Sequence, residues 1–167
     1  MSSAFVIRET AIKDALYSQV TIKYNTKSIT VKALWDTGAN ISCVSEDVVS
    51  SLGLIMSGVV PRLTPSGSDF ANTYLVDVIL PNNVEVLNLR VCDSKIGEQG
   101  IGMLVGMDII NKGDFAVSNF DGKTVFTFRM PSESTLDFVA GIKMSNMIMA
   151  KRTASTGFSK KIKKKKR

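Results

Sequence analysis

The stretch Ala33-Leu34-Trp35-Asp36-Thr37-Gly38-Ala39 decides how this chain is read. An apolar run ends in a carboxylate, and a small polar residue, a glycine and an alanine follow at once. A carboxylate at the end of a buried strand is costly unless hydrogen bonds hold it. A glycine two residues later lets backbone groups come close enough to do so. Asp36 is therefore placed to be held and aimed. The plain alternative is an ordinary surface turn, because Asp-x-Gly turns are common.

Upstream, Val20-Thr21-Ile22-Lys23-Tyr24 and Ile29-Thr30-Val31-Lys32-Ala33 each alternate apolar and polar residues, with Asn25-Thr26-Lys27 between them. This pattern predicts a hairpin with one buried face, whose second strand delivers Asp36. Downstream, Ile41-Ser42-Cys43-Val44 resumes the strand. Ser45 is a predicted N-cap, with Glu46 and Asp47 in the first turn of a short helix that Gly53 ends. Strand patterns recur over residues 58–63, 74–80, 84–91 and 103–105. Asp108 is a predicted cap of a second short helix. Asp121-Gly122, between two alternating runs, predicts a two-residue hairpin turn. Eight or nine short strands and two short helices predict a mostly-β sandwich or barrel-like domain over residues 19–130.

Composition narrows the chemistry. The chain of 167 residues, 44% apolar, suffices for one domain with a core. It has no histidine, which removes Ser-His-Asp and Cys-His hydrolases, His-Glu-x-x-His zinc sites and any histidine base. Cys43 and Cys92 are the only cysteines and lie far apart in sequence, so a Cys-rich zinc site is also out. They read as buried reduced thiols, with a disulfide as the lesser alternative. No metal and no cofactor are expected. No apolar run reaches membrane-spanning length, and residues 1–10 carry Arg8 and Glu9 where a signal peptide needs apolar residues. A cytoplasmic setting without membrane contact is the expectation.

The net charge of +6 belongs to one end. Residues 151–167 hold nine Lys/Arg and no acid, so residues 1–150 carry a net −3. The organisation expected is a leader at 1–18, the domain at 19–130, a docking helix at 131–150 and a disordered basic tail at 151–167. Residues 160–167 would bind a polyanion weakly through counterion release. The tail also fits a solubilising segment or one removed by self-processing.

Two marks together carry a resemblance. The hairpin leading into Leu34-Trp35-Asp36-Thr37-Gly38-Ala39 is followed by Leu104-Val105-Gly106, with Gly106 70 residues after Asp36, and by a short helix beginning Met107-Asp108. Over residues 19–128 this resembles the retropepsin-like, or retroviral-type, aspartic proteases, including their bacterial and phage-encoded branch. The resemblance implies a closed β-barrel or sandwich with one or two short helices, one lobe per chain. It implies Asp36 as the catalytic carboxylate, on an active-site loop with Thr37, Gly38 and Ala39. It implies a flap near Thr64, Pro65, Ser66 and Gly67, which also reads as a plain turn. Leu104, Val105 and Gly106 would support the loop from behind. Because Asp-Thr-Gly occurs once, the resemblance implies a homodimer acting on a polypeptide substrate, with Thr37 bracing the two loops. The competing expectation is a catalytically silent dimerisation module of the same fold, whose basic tail engages nucleic acid or an acidic partner.

Overall fold

The computed structural model describes residues 1–64 and 67–164, with side-chain surroundings for 1–61 and 67–151. Residues Met1–Glu133 form one compact unit, and a second unit starts at Ser134.

Among the described residues, the first unit holds ten strands and two short α-helices. β2 (Leu16–Tyr24) and β3 (Lys27–Trp35) form the predicted hairpin, with Asn25 at φ 52° in its turn. β4 (Cys43–Ser45) leads into α1 (Glu46–Leu52). The Ser45 side chain accepts the Val48 N–H, and Gly53 closes the helix in the left-handed conformation, both as the local sequence predicts. β5 (Gly58–Thr64), β6 (Gly67–Ile79) and β7 (Glu85–Ser94) form an antiparallel meander. β8 (Met103–Val105) runs into α2 (Met107–Ile110), and β9 (Asp114–Ser118) pairs with β10 (Val125–Met130).

The larger sheet has the order β2-β3-β8-β4-β7-β6-β5, and β2 also pairs with β6. That extra pairing, Thr21 with Ile79 through Lys23 with Asp77, closes six strands into a ring and leaves β5 as an extension on β6. Closure removes the unpaired edges that β2 and β6 would otherwise present. Ile22, Ala33, Val78, Val91, Met103 and Val105 point into the core with almost no exposure.

The second sheet has the order β1-β10-β9, and it corrects two expectations. Residues 1–18 do not form a leader outside the domain. β1 (Ser3–Arg8) pairs with β10, from Ser3 opposite Met130 to Arg8 opposite Val125, and β2 already begins at Leu16. Phe5 and Ile7 turn inward while Ala4, Val6 and Arg8 are exposed, so β1 buries one face. Nor is the β9–β10 connection a two-residue turn. Pairing stops at Ser118 opposite Val125, leaving residues 119–124 as a loop. Asp121 and Gly122 both have positive φ, but Thr124 is taken up elsewhere. Its N–H donates to Ala11 O, its carbonyl accepts from Glu9 N–H, and its hydroxyl oxygen accepts from Lys13 N–H. The chain leaving β1 thus captures the residue that would have continued the hairpin.

Five aromatic rings join the second sheet to the barrel. Trp35 stacks on Phe115 with ring centres 5.7 Å apart and planes 3° from parallel. Phe128, Phe5 and Phe126 tilt against it at 5.1, 5.6 and 5.9 Å. The indole N–H donates to Ser18 Oγ at 2.9 Å. Trp35 is therefore a core residue.

Asp114, at the start of β9, ties the end of β10 back to the sheet. Its carboxylate accepts from Ser132 Oγ, from the Glu133 N–H at 2.9 Å and from the Arg129 guanidinium. The Ser132 hydrogen bond foremost, then the Glu133 amide and Arg129, hold its pKa well below the ordinary carboxylate value. A depressed carboxylate contributes stability that is present above its unfolded pKa and is lost as pH falls towards the folded one. Asp114→Asn should therefore lower the thermal midpoint at pH 7. The gap from wild type should shrink as pH drops below about 4, which paired melting curves across pH 2–7 would read. A gap independent of pH would sink this account.

In the second unit, α3 runs over Phe138–Lys164, capped by the Asp137 carboxylate accepting from the Val139 and Ala140 amides. The helix extends through most of the segment expected to be a disordered tail. Alanine, lysine, arginine and methionine are good helix formers, which favours continuation. Phe138, Val139, Ile142 and Met147 on it are exposed. No helix among the described residues is long and apolar enough to cross a membrane.

Candidate active site

β3 and β8 are parallel neighbours, with Ala33, Leu34 and Trp35 opposite Met103, Leu104 and Val105. Both strands therefore end at the same edge, and each hands over there to a loop. From β3 the loop is Asp36-Thr37-Gly38-Ala39. From β8 it is Gly106 and the first turn of α2.

The two loops are stitched by main-chain hydrogen bonds. Asp36 N–H donates to Val105 O at 2.9 Å, and Met107 N–H donates to Ala39 O at 2.8 Å. Gly106 lies so close that a Cβ there would sit 2.9 Å from both Ala39 O and the Ile41 carbonyl carbon. Only glycine admits that approach without moving backbone. Val105 and Gly106 are buried, and Leu104 is half-buried.

Asp36 as a residue is half-buried. Its Oδ1 accepts the Gly38 N–H at 2.8 Å, and the Ala39 N–H reaches Asp36 O at 3.3 Å. A Cβ on Gly38 would stand 3.1 Å from that same Oδ1, so the glycine keeps the carboxylate uncrowded. Thr37 and Gly38 are exposed, and Ala39 is half-buried. The arrangement presents an oriented carboxylate at a surface, held from one side by a backbone donor.

Two residues outside the sequence-predicted set hold the loop. Ser42 is fully buried. Its N–H donates to Asp108 Oδ2 at 2.9 Å, its hydroxyl donates to Asp108 Oδ1 at 2.6 Å, and its Oγ accepts the Gly106 N–H at 3.0 Å. Asp108 is thus not the cap of α2, as its position suggested. Gly106 occupies the cap position, and the Asp108 side chain turns to Ser42. A buried hydroxyl needs partners, and a polar Ser42 inside the apolar run Ile41-Ser42-Cys43-Val44 was the available signal.

Of the flap candidates, Thr64 and Gly67 form the end pair of the β5–β6 ladder. Gly67 has φ 128°, a conformation that favours glycine. Pro65 and Ser66 lie outside the described residues. An open cleft of about 290 Å³ between β3, α1 and residues 97–102 includes Val31, Asp47 and Gly100 but none of residues 36–39. Within one chain, Asp36 sits at an open edge.

A retropepsin-like aspartic protease from Rickettsia conorii superposes with a TM-score of 0.52 at 17% identity, over 78% of this chain and 96% of that one. The chain has the retropepsin-like fold. EIAV protease aligns at a TM-score of 0.47 and 18% identity, over 60% of this chain and 88% of that one. Simian foamy virus (mac) protease aligns at 0.42 and 21%, over 57% and 92%. At these identities the likeness is one of fold. No protein-family model and no curated protein matches the chain.

Proposed function

We propose that the chain is one half of an aspartic endopeptidase, with Asp36 as the catalytic carboxylate in a homodimer. The observation that carries this reading is the Asp36 carboxylate itself. It stands at a strand end on the retropepsin-like fold, oriented by the Gly38 N–H and backed by the Ser42–Asp108–Gly106 network. One exposed-edge carboxylate per chain cannot act as both acid and base. A two-fold axis brings a second, identical Asp36 opposite the first. Two carboxylates in contact do not both ionise, so they share one proton. The ionised member takes a proton from a water, whose oxygen attacks the scissile carbonyl carbon. The protonated member donates to the carbonyl oxygen. Proton transfer to the amide nitrogen then releases it as the leaving amine. In this reading Thr37 braces the paired loops, and the β5–β6 hairpin closes over an extended polypeptide as a flap.

The test is incubation of the full chain with an unstructured polypeptide across pH 3–7, with and without a statine-type inhibitor. Expected is inhibitor-sensitive cleavage whose specific activity falls on dilution below the dimer dissociation constant. No cleavage at any pH would overturn the reading. Cleavage with unchanged specific activity throughout dilution would overturn the dimer.

A further inference from the structure

The proposed chemistry leaves two nucleophilic side chains unused. Cys43 on β4 and Cys92 on β7 are register partners across a parallel strand pair, and their sulfurs stand 2.9 Å apart. Adjacent strands lie about 4.8 Å apart, inside the roughly 4.4–6.8 Å Cα separation that a disulfide bridges without backbone movement. Closing an S–S bond of about 2.05 Å therefore asks the sulfurs to approach by only about 0.9 Å. Cys43 is half-buried, whereas Cys92 is 4% exposed. A small reagent meets Cys43 first.

The location gives the pair a mechanical meaning. Cys43 directly follows Ser42, the residue that holds Gly106 and Asp108, and it also faces Leu104 on β8. Cys92 faces Thr73 on β6, the strand whose far end forms the β5–β6 hairpin. A covalent bond between the two sulfurs would join β4, the strand leaving the Asp36 loop, to β7, the neighbour of the strand that carries the hairpin. It would close a chain loop between residues 49 apart in sequence, containing α1, β5 and β6.

We propose that Cys43 and Cys92 form a thiol–disulfide exchange site, closing to a reversible intrachain disulfide with a low-molecular-weight disulfide as oxidant. The Cys43 thiolate attacks one sulfur of the reagent, forming a mixed disulfide and expelling the first thiolate. The Cys92 thiolate then attacks the Cys43 sulfur, and the second reagent thiolate leaves. The two protein thiols lose two electrons to the reagent, and their two protons pass through solvent to the two released thiolates. The bond restricts the unfolded chain and so stabilises the fold. This proposal stands independently of the peptidase reading, since neither sulfur takes part in peptide hydrolysis.

The test uses the full chain with glutathione disulfide, followed by denaturation, alkylation of remaining thiols and intact mass measurement. The expected product is a monomeric chain lighter by two hydrogen atoms that takes up no alkylating agent. Its thermal midpoint should be higher by roughly 5–15 °C and return on treatment with dithiothreitol. Cys92→Ser should stop as a single glutathione adduct at Cys43. A lasting glutathione adduct on the wild-type chain, a disulfide-linked dimer, or two alkylated thiols would each overturn the proposal. So would an oxidised chain that melts no higher than the reduced one. Both wild-type readouts are mass and melting, so a failure of peptidase activity leaves the outcome legible.

Discussion

Asp36→Asn is expected to lower peptide cleavage by about 10⁴-fold or more while leaving the fold in place. Asparagine matches aspartate in shape. Its amide oxygen can still accept the Gly38 N–H that Oδ1 accepts at 2.8 Å. The main-chain bonds of the loop, Asp36 N–H to Val105 O and Met107 N–H to Ala39 O, do not involve the side chain. What is lost is the ability to carry a negative charge and take a proton from water. The readout is kcat/KM on an unstructured polypeptide beside the thermal midpoint, which should move by no more than about 3 °C. A variant that cuts at the wild-type rate, with wild type active, removes Asp36 from the mechanism. An active wild type with an unfolded variant would instead show that the carboxylate charge is needed for structure.

The largest stability effect is expected at Trp35→Ala, about 3–5 kcal/mol. Trp35 is 5% exposed and touches four phenylalanine rings. Removing it opens a cavity where the barrel meets the β1-β10-β9 sheet and strips Ser18 Oγ of its donor. Against a domain stability of about 5–15 kcal/mol, that is roughly 30–50% of the total at the midpoint of the range. Trp35 is also the sole tryptophan, so unfolding should be followed by far-ultraviolet circular dichroism in urea. Trp35→Phe keeps most of the ring packing and should cost less than half as much. A Trp35→Ala loss below about 1 kcal/mol would show that the aromatic contacts do not hold the sheets together. Because Trp35 immediately precedes Asp36, the same cluster that joins the sheets also anchors the strand that presents the carboxylate.

Elements made by local signals could be read directly. The β2–β3 hairpin, β8 and the Ser45-to-Gly53 bounds of α1 depend on alternation, capping and turn residues within a few positions of one another. The placement of Asp36 after a buried strand was legible for the same reason. β1 was not, because its partner is β10, and Ser3 lies opposite Met130. In sequence, Ala4-Phe5-Val6-Ile7 is a continuous apolar run without the alternation that marks a strand with one buried face; the alternation appears only in its burial. The Asp121-Gly122 turn misled because local turn chemistry competes with contacts from elsewhere. Here the N-terminal segment at residues 9–13 binds Thr124 and wins. Asp108 misled likewise, since its nearest backbone donors made a cap plausible while Ser42, 66 residues away, supplied two donors.

By itself, the sequence determined that the chain is mostly β, that histidine chemistry is unavailable, and that one Asp-Thr-Gly follows a buried strand. These follow from composition and short-range periodicity. The tertiary structure alone decided that β3 and β8 end side by side, that Ser42 and Asp108 lock their loops, and that residues 1–18 belong to the fold. It alone brought Cys43 against Cys92. Each of these rests on hydrogen bonds or sulfur contacts between residues about 50 to 130 positions apart. Pairings at that range are chosen by closure of the barrel and burial of its core, which no local pattern encodes.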